Sequence, residues 1–283
     1  MKKTAILILC AAVFMTADAF GATMSEIMPM VKKAKTKMSA ALDAIDKDVS
    51  AAAKKLTAID RNSVEARKIL SSLCEGRPYA YACSIVDTTG KLSVVEPEKF
   101  RNYEGADISA EPQVKELFRT KTPVVSPVFA ALDGTKKIDF EYPIITQKGE
   151  FIGAVSLLID HQAFFKEVLA PLVDGQPLKI WAIQTDGLVL YDDDPDQINK
   201  NVFRDPMFTG FVDLRSFCRT VADFPNGGGS YTFYKKGLED QTVVKKYAVW
   251  DTASLHGTKW RIVVMEIEPP EAVRSEGKTE KVP

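Results

Sequence analysis

The sequence has little of the chemistry that enzymes and metal-binding proteins use. Its 283 residues include only two histidines and four cysteines, and none stands at a spacing that binds zinc. A Gly-x-Ser-x-Gly motif is missing. Lys and Arg number 37 against 38 Asp and Glu, for a net charge of −1, and no basic tract of the kind that binds nucleic acid is present. We therefore expect no enzyme, no cofactor and no nucleic-acid partner.

The first 22 residues have the pattern of a secretory signal peptide. Lys2-Lys3 is a basic start, residues 5–15 are apolar, and Ala17-Asp18-Ala19 is a small-residue cleavage motif, with cleavage after Ala22 as an alternative. The apolar run is shorter than the ~20 residues of a membrane-spanning helix. An uncleaved anchor is the main rival interpretation, and lipidation at Cys10 is a weaker one. We expect the mature chain to be soluble and periplasmic or secreted.

Export makes a disulfide bond plausible, because exported proteins fold under oxidising conditions. Cys74 and Cys83 flank a turn-prone stretch, so a bond between them would join the end of a helix to the first strand. The alternative is that both are small buried residues. Cys218 has no evident partner.

Residues 23–78 are predicted to form a long helix with one apolar face. The helical periodicity runs from about residue 24 to residue 73, with a break near Asp60 and a second segment capped by Asn62 or Ser63. The apolar positions recur every three or four residues: Ile27, Val31, Ala34, Met38, Leu42, Ile45, Val49, Ala52, Leu56 and Ile59. Such a helix either lies along two domains or pairs with a second copy as a coiled-coil homodimer.

Two similar units follow, at residues 79–170 and 171–268, and a polar tail at 269–283 is expected to be disordered. Each unit opens with a strand, an Asp- and Gly-containing turn and a second strand, at residues 79–95 and 179–201. Further strands are expected at 124–130, 137–145 and 151–159 in the first unit, and a Pro- and Gly-bearing connector at 171–177. The predicted fold class is α+β, in which each unit is an antiparallel sheet with flanking helices.

Several segments resemble double Cache domains, the PAS-like extracellular sensing modules of chemoreceptors and sensor kinases. In the first unit these are Asp107-Ile108-Ser109, VVSPVF at 124–129 and YPIITQKGEFIGAVSLLID at 142–160. The second unit contributes DGLVLYDDDPDQINKNV at 186–202 and GGGSY at 227–231. The resemblance implies a sensor of small molecules.

Most such modules continue into a transmembrane helix and a cytoplasmic signalling part, which this sequence does not show. We therefore expect a free-standing exported binder that acts through a membrane sensor. A solute-binding protein that serves a transporter and a ligand-free dimerisation module are the alternatives.

In that family the ligand usually lies in the first unit. Amino-acid-binding members use an Arg and an aromatic residue in the helix after the Asp-x-Ser, a Tyr at the end of the next strand and an Asp in the final strand. The corresponding positions here are Glu111, Gln113, Phe129 and Leu158. Because all four depart from the pattern, the resemblance does not imply an α-amino acid. A carboxylate and an aromatic face both favour a cation, so we expect an amine or another amphipathic ligand.

Five more residues are candidates for the same pocket: Tyr81, Tyr103, Asp107, Asp139 and Glu141. The aromatic residues have an ordinary packing role as their alternative. Asp139 and Glu141 share one face of a predicted strand, opposite Ile138 and Phe140. The sequence leaves open whether that polar face points into a pocket or to solvent.

Two other motifs suggest function at first sight and are given structural interpretations. The acidic run at 192–196 lacks the Gly and Glu of a calcium-binding EF-hand loop, so a solvated turn is expected. Asp160-His161 lacks the remaining partners of a catalytic triad, so His161 is expected to begin a helix.

Overall fold

One long helix, α1 (Phe14–Leu56), organises the molecule. The computed structural model describes residues 14–268, and only the backbone of α1 up to residue 23. The expected tail at 269–283 and the first 13 residues of the expected signal peptide lie outside this range. At 1.5 Å per residue, a helix of this length spans about 65 Å. Its apolar stripe, from Ile27 to Leu56, is buried against strands of two separate sheets.

The break after α1 falls where the sequence predicts it. Helix α2 spans Val64–Cys74, and the Oγ of Ser63 caps its first turn by accepting a hydrogen bond from the Ala66 backbone N–H at 3.2 Å. At the other end of α2, Cys74 and Cys83 form a disulfide bond with their Cα atoms 6.0 Å apart. Of the alternatives that the sequence leaves open, the structure therefore shows Ser63 as the cap and the disulfide rather than two free cysteines. Together the cap and the disulfide fix α2 against the first strand of the first sheet.

The first sheet is antiparallel, in the order β2-β1-β6-β5-β3, with β4 also paired to β5. Its strands are β1 (Ala80–Val86), β2 (Leu92–Glu96), β3 (Val124–Val125), β4 (Phe129–Ala130), β5 (Lys136–Ile145) and β6 (Phe151–Ile159). A 3₁₀ turn at Glu98–Tyr103 and helix α3 (Pro112–Thr120) lie between β2 and β3. The single strand predicted at 124–130 is wrong, because Pro127 has no N–H to donate and the chain leaves the sheet between β3 and β4.

The second sheet repeats this architecture in the order β8-β7-β11-β10-β9. Its strands are β7 (Lys179–Gln184), β8 (Val189–Tyr191), β9 (Gly227–Lys236), β10 (Asp240–Leu255) and β11 (Thr258–Ile267). Helix α4 (His161–Val173) joins the units, and α5 (Val212–Asp223) covers the outer face of the second sheet.

The connector predicted at 171–177 is wrong at its start. Pro171 lies inside α4, and burial of the next two side chains, Leu172 and Val173, keeps the helix intact there.

A single hydrophobic core unites the two units. One face of each sheet packs against α1 and α4, so that Phe140 of the first sheet and Trp260 of the second belong to the same buried cluster. The stripe that a coiled-coil homodimer would use is therefore already buried within the chain. The opposite faces of the two sheets have their own smaller cores. Among residues 14–268, no helix combines the length and apolar character needed to cross a bilayer.

Replacing Cys74 and Cys83 together by Ser should lower the free energy of unfolding by about 2–3 kcal/mol, because the bond closes a short loop in the unfolded chain. Urea unfolding of wild type with and without reductant, beside the double variant, measures this. Equal midpoints in all three samples would contradict the prediction.

Candidate ligand-binding site

A cavity of about 70 Å³ lies on the face of the first sheet that points away from α1. Strand alternation creates this arrangement, since Ile138 and Phe140 of β5 join the shared core while Asp139 between them faces the cavity. The 3₁₀ turn, α3 and the segment around β4 close the other sides. Seven of the nine candidate residues line this one cavity: Tyr81, Tyr103, Glu111, Gln113, Phe129, Asp139 and Leu158.

The two remaining candidates do not line the cavity. Asp107 is exposed, and its carboxylate accepts a hydrogen bond from the Ser109 backbone N–H at 2.9 Å, so it shapes the turn before α3 instead. Glu141 lies two residues after Asp139 on the same face of β5. It is 1% exposed and is not one of the residues that line the cavity.

Ion pairs hold the aromatic wall of the cavity in place. Glu96, buried at the end of β2, binds Arg101 of the 3₁₀ turn at 2.8 Å and Arg67 of α2 at 3.1 Å. Arg67 also binds Glu104 at 2.8 Å. The turn carries Phe100 and Tyr103 into the cavity lining, so the network positions these two rings over the sheet.

The cavity floor is acidic and buried. Asp139 is 2% exposed, and it accepts a hydrogen bond from the Ser156 hydroxyl at 2.7 Å. Neither carboxylate oxygen of Glu141 has a hydrogen-bond partner among the described residues. Glu111, the residue before α3, is close enough for its charge to act on both. Three carboxyl groups from two elements therefore converge here.

These groups hold their protons more tightly than ordinary carboxyls. Burial raises the pKa of Asp139 to about 6; the neighbouring Glu141 carboxyl and the hydrogen bond from Ser156 oppose the increase, and the charge of Glu111 adds to it. Burial, and then the charge of Asp139, raise the pKa of Glu141 well above its ordinary value. A buried carboxyl without a cation nearby keeps its proton because the charged form is poorly solvated.

No lysine or arginine in the described part of the chain forms an ion pair with Glu111, Asp139 or Glu141. Lys137 precedes Asp139 on the same face of β5, but its Nζ binds Asp160 at 3.1 Å and lies 4.1 Å from the centre of the Tyr81 ring. The acidic floor is therefore left without a counter-charge, while one aromatic face is already covered by an ammonium group.

Cross-strand pairing bears on Leu158, which occupies the position where amino-acid-binding members of the family have an Asp. Leu158 of β6 is directly opposite Asp139 of β5, so a carboxylate stands at the same level of the sheet on the neighbouring strand. Sequence reasoning missed Ser156 and Asp133, which also line the cavity. Ser156 is two residues before Leu158 on β6, so the two side chains lie on the same face of the sheet. The period of two could therefore have indicated Ser156 as a lining residue.

The other two motifs form the helix start and the turn expected of them, but Asp192 in the acidic run is half-buried and not solvated. His161 begins α4 after the Asp160 N-cap, and burial lowers its pKa to about 4. In the acidic run, Asp192 and Asp194 accept hydrogen bonds from backbone N–H groups two residues further on. Within residues 14–268, no group of three or more His, Cys, Asp or Glu side chains is arranged to hold a metal ion.

Residues 40–161 match the family described as HK/GC/Chemotaxis protein-like, sensor domain. The matched span runs from the second half of α1 to the first residue of α4, so it contains every element that builds the cavity.

Solved sensor structures share the two-unit architecture. The ligand binding domain of the amino acid chemoreceptor PctB of Pseudomonas aeruginosa PAO1, in complex with L-Gln, is 15% identical, with a TM-score of 0.58 over 85% of this chain and 89% of that one. The ligand-binding domain of the Campylobacter jejuni chemoreceptor Tlp3, in complex with L-valine, is 12% identical, with a TM-score of 0.62 over 91% of this chain and 98% of that one. This chain has the double Cache fold.

A third solved structure is more similar in sequence. An extracellular ligand binding receptor from Desulfohalobium retbaense is 29% identical, with a TM-score of 0.69 over 85% of this chain. This chain spans 40% of that protein's length. No curated protein sequence matches the chain.

Replacing Glu141 by Gln should stabilise the protein at pH 8 by roughly 1–3 kcal/mol and have no effect at pH 4. The folded state keeps the carboxyl protonated while the unfolded state ionises it, so native stability falls as the pH rises above the unfolded value near 4. The neutral amide does not bear this cost. Urea unfolding at both pH values measures the difference, with the exposed Glu150→Gln as the matched control. A variant less stable than wild type at pH 8 would contradict the prediction.

Proposed function

We propose that this chain is an exported double Cache sensor whose first unit binds a small cationic ligand, an amine or another amphipathic cation, and acts through a membrane partner. The observation that carries the proposal is the group of three carboxyls, Glu111, Asp139 and Glu141, in and beside a cavity without a counter-cation. An ammonium group would supply that charge and relieve the cost of burying the carboxylates.

The lining favours a cation over a zwitterion. No Arg or Lys lines the cavity, and Lys137, whose Nζ lies against the Tyr81 ring, is paired with Asp160. The carboxylate of an α-amino acid would therefore have no unpaired cationic partner there and would lie close to Glu111. The faces of Tyr103 and Phe129 attract cations through their ring quadrupoles. The chain's own lysines use the same attraction, since Lys99 Nζ lies 4.8 Å from the centre of the Phe100 ring.

The dimensions of the cavity support a compact head group with an apolar tail. About 70 Å³ is roughly half the volume of the ~150 Å³ engineered cavity that admits benzene. The lining near β4 includes Leu132, which is 50% exposed, so an apolar tail would leave the cavity past this side chain. Short primary amines fit this description.

The shared core offers a route from the ligand to a partner. Asp139 on β5 faces the cavity, while the next residue, Phe140, packs in the core that contains α1. At the junction of the units, Tyr142 of β5 donates a hydrogen bond to Asp46 of α1, and His256 of the second unit binds the same carboxylate. A ligand that prefers one position of β5 would shift the equilibrium of both units, provided that its affinity differs between the two arrangements.

Calorimetric titration with primary alkylammonium ions of one to four carbons tests the proposal. Binding should occur at one site per chain. Asp139→Asn should weaken it by about tenfold or more, because it removes one charge-assisted contact. Asp107→Asn makes the same chemical change at an exposed aspartate outside the cavity and should leave the affinity unchanged. Equal affinity in all three proteins, or no binding by any amine, would refute a cation site in this cavity.

A further inference from the structure

The second unit contains a divided cavity on the face of its sheet that is covered by α5. An inner lobe of about 30 Å³ is lined mainly by apolar side chains, and an outer lobe of about 220 Å³ is lined mainly by charged and polar side chains. The lining that the two lobes share is called the passage below, and it consists of five residues: Trp181, Asp192, Gln197, Lys246 and Met265. The inner lobe ends among Val189, Val202, Phe208, Leu214 and Phe233.

A buried lysine without an ion-pair partner stands in this passage. Lys246 of β10 is 4% exposed. Within residues 14–268 the structure shows no hydrogen bond or ion pair to its Nζ, which lies 5.5 Å from the centre of the Phe233 ring. Burial lowers the pKa of Lys246, against the attraction of Asp192. A lysine this deeply buried is rare unless it is paired.

The other lysines of the outer lobe are paired. Lys179 binds Asp193 at 2.7 Å, Lys236 binds Glu239 at 2.8 Å and Lys235 lies 3.7 Å from Asp240. Lys246 is thus the one lysine lining the described cavity that forms no ion pair.

A second donor in the passage is also unused. Trp181 of β7 is 5% exposed, and its Nε1 is buried with no hydrogen-bond acceptor among the described residues. Its ring packs edge-on against Tyr231, with the centroids 6.5 Å apart. Two donors without a protein acceptor, one of them cationic, therefore belong to residues that line the same passage, and an acceptor with negative charge would satisfy both.

We propose that the second unit binds a short-chain carboxylate, with its carboxylate group accepting hydrogen bonds from Lys246 and Trp181 and its aliphatic tail in the inner lobe. The two lobes match the two halves of such a molecule, and the small inner lobe limits the tail to a few carbons. Burial raises the pKa of Asp192 to about 7, so this carboxyl can take up a proton when a carboxylate binds beside it and can then donate to the ligand. This site is separate from the cavity of the first unit and does not depend on the proposed amine site.

Calorimetric titration of the mature chain, from residue 23, with acetate, propionate and butyrate tests the proposal. Butyramide is the matched ligand control, because it keeps the shape and lacks the charge. We expect one butyrate per chain, acetate to bind more weakly because it buries less apolar surface, and butyramide to give no detectable binding.

Two variants assign the site. Lys246→Met should weaken butyrate binding by about tenfold or more, the usual worth of a hydrogen bond to a charged group. Lys245→Met makes the same change at the half-buried neighbour on the opposite face of β10, which interacts with Tyr247 and Glu268, and should leave the affinity unchanged. If Lys246→Met does not fold, Trp181→Phe removes only the N–H and should weaken butyrate binding several-fold.

The proposal is overturned if no short-chain carboxylate binds at millimolar concentration, if butyramide binds as well as butyrate, or if the Lys246 or Trp181 variant that folds binds like wild type. Amine binding by Lys246→Met serves as an independent readout of the first unit. Its retention together with loss of butyrate binding would place the carboxylate in the second unit.

Discussion

Burial of the apolar stripe of α1 against two sheets is the constraint on which the rest of the structure depends. The stripe includes Ile27, Leu42 and Leu56, each no more than 1% exposed, and it joins both units in one core. Because each sheet uses one face for this core, its other face is available for separate chemistry. The cavity under α3 and the divided cavity under α5 both lie on these outer faces. The same packing links ligand-facing strands to the helix that runs along both units.

Buried carboxyls on the outer face of the first sheet lower the stability of the fold, and packing of the core must offset this loss. Carboxyls with raised pKa values at Asp139 and Glu141 destabilise the fold at neutral pH. A site kept at some expense in stability is typical of binding and catalytic positions. In the second unit, Lys246 is also a buried ionisable residue without an ion-pair partner, and its charge is positive. The two cavities therefore differ in the sign of the ligand that would neutralise them.

The sequence predicted local features well and the direction of side chains poorly. The bounds of β6 depend on short-range signals and are confirmed, and the same signals reduced the cap of α2 and the state of Cys74 and Cys83 to two alternatives each. Alternation placed Asp139 and Glu141 on one face, but only the packing of β5 against α1 decides that this face is buried beside a cavity. The adjacent Lys245 and Lys246 give no sequence signal for which of them is buried, since strand pairing over long distances decides it. Pro127 breaks a strand that its apolar neighbours predicted.

Proton release on ligand binding tests the central claim, that a cation neutralises buried carboxyls in the first unit, most directly. Calorimetric titration with a primary alkylammonium ion at pH 7, repeated in buffers of different ionisation enthalpy, counts the protons exchanged. The account predicts release of about one proton per bound cation, because a neighbouring positive charge lowers the pKa of Glu141 and Asp139. Glu141→Gln should reduce that number towards zero. Binding of the cation without proton release in the wild-type protein would contradict the account.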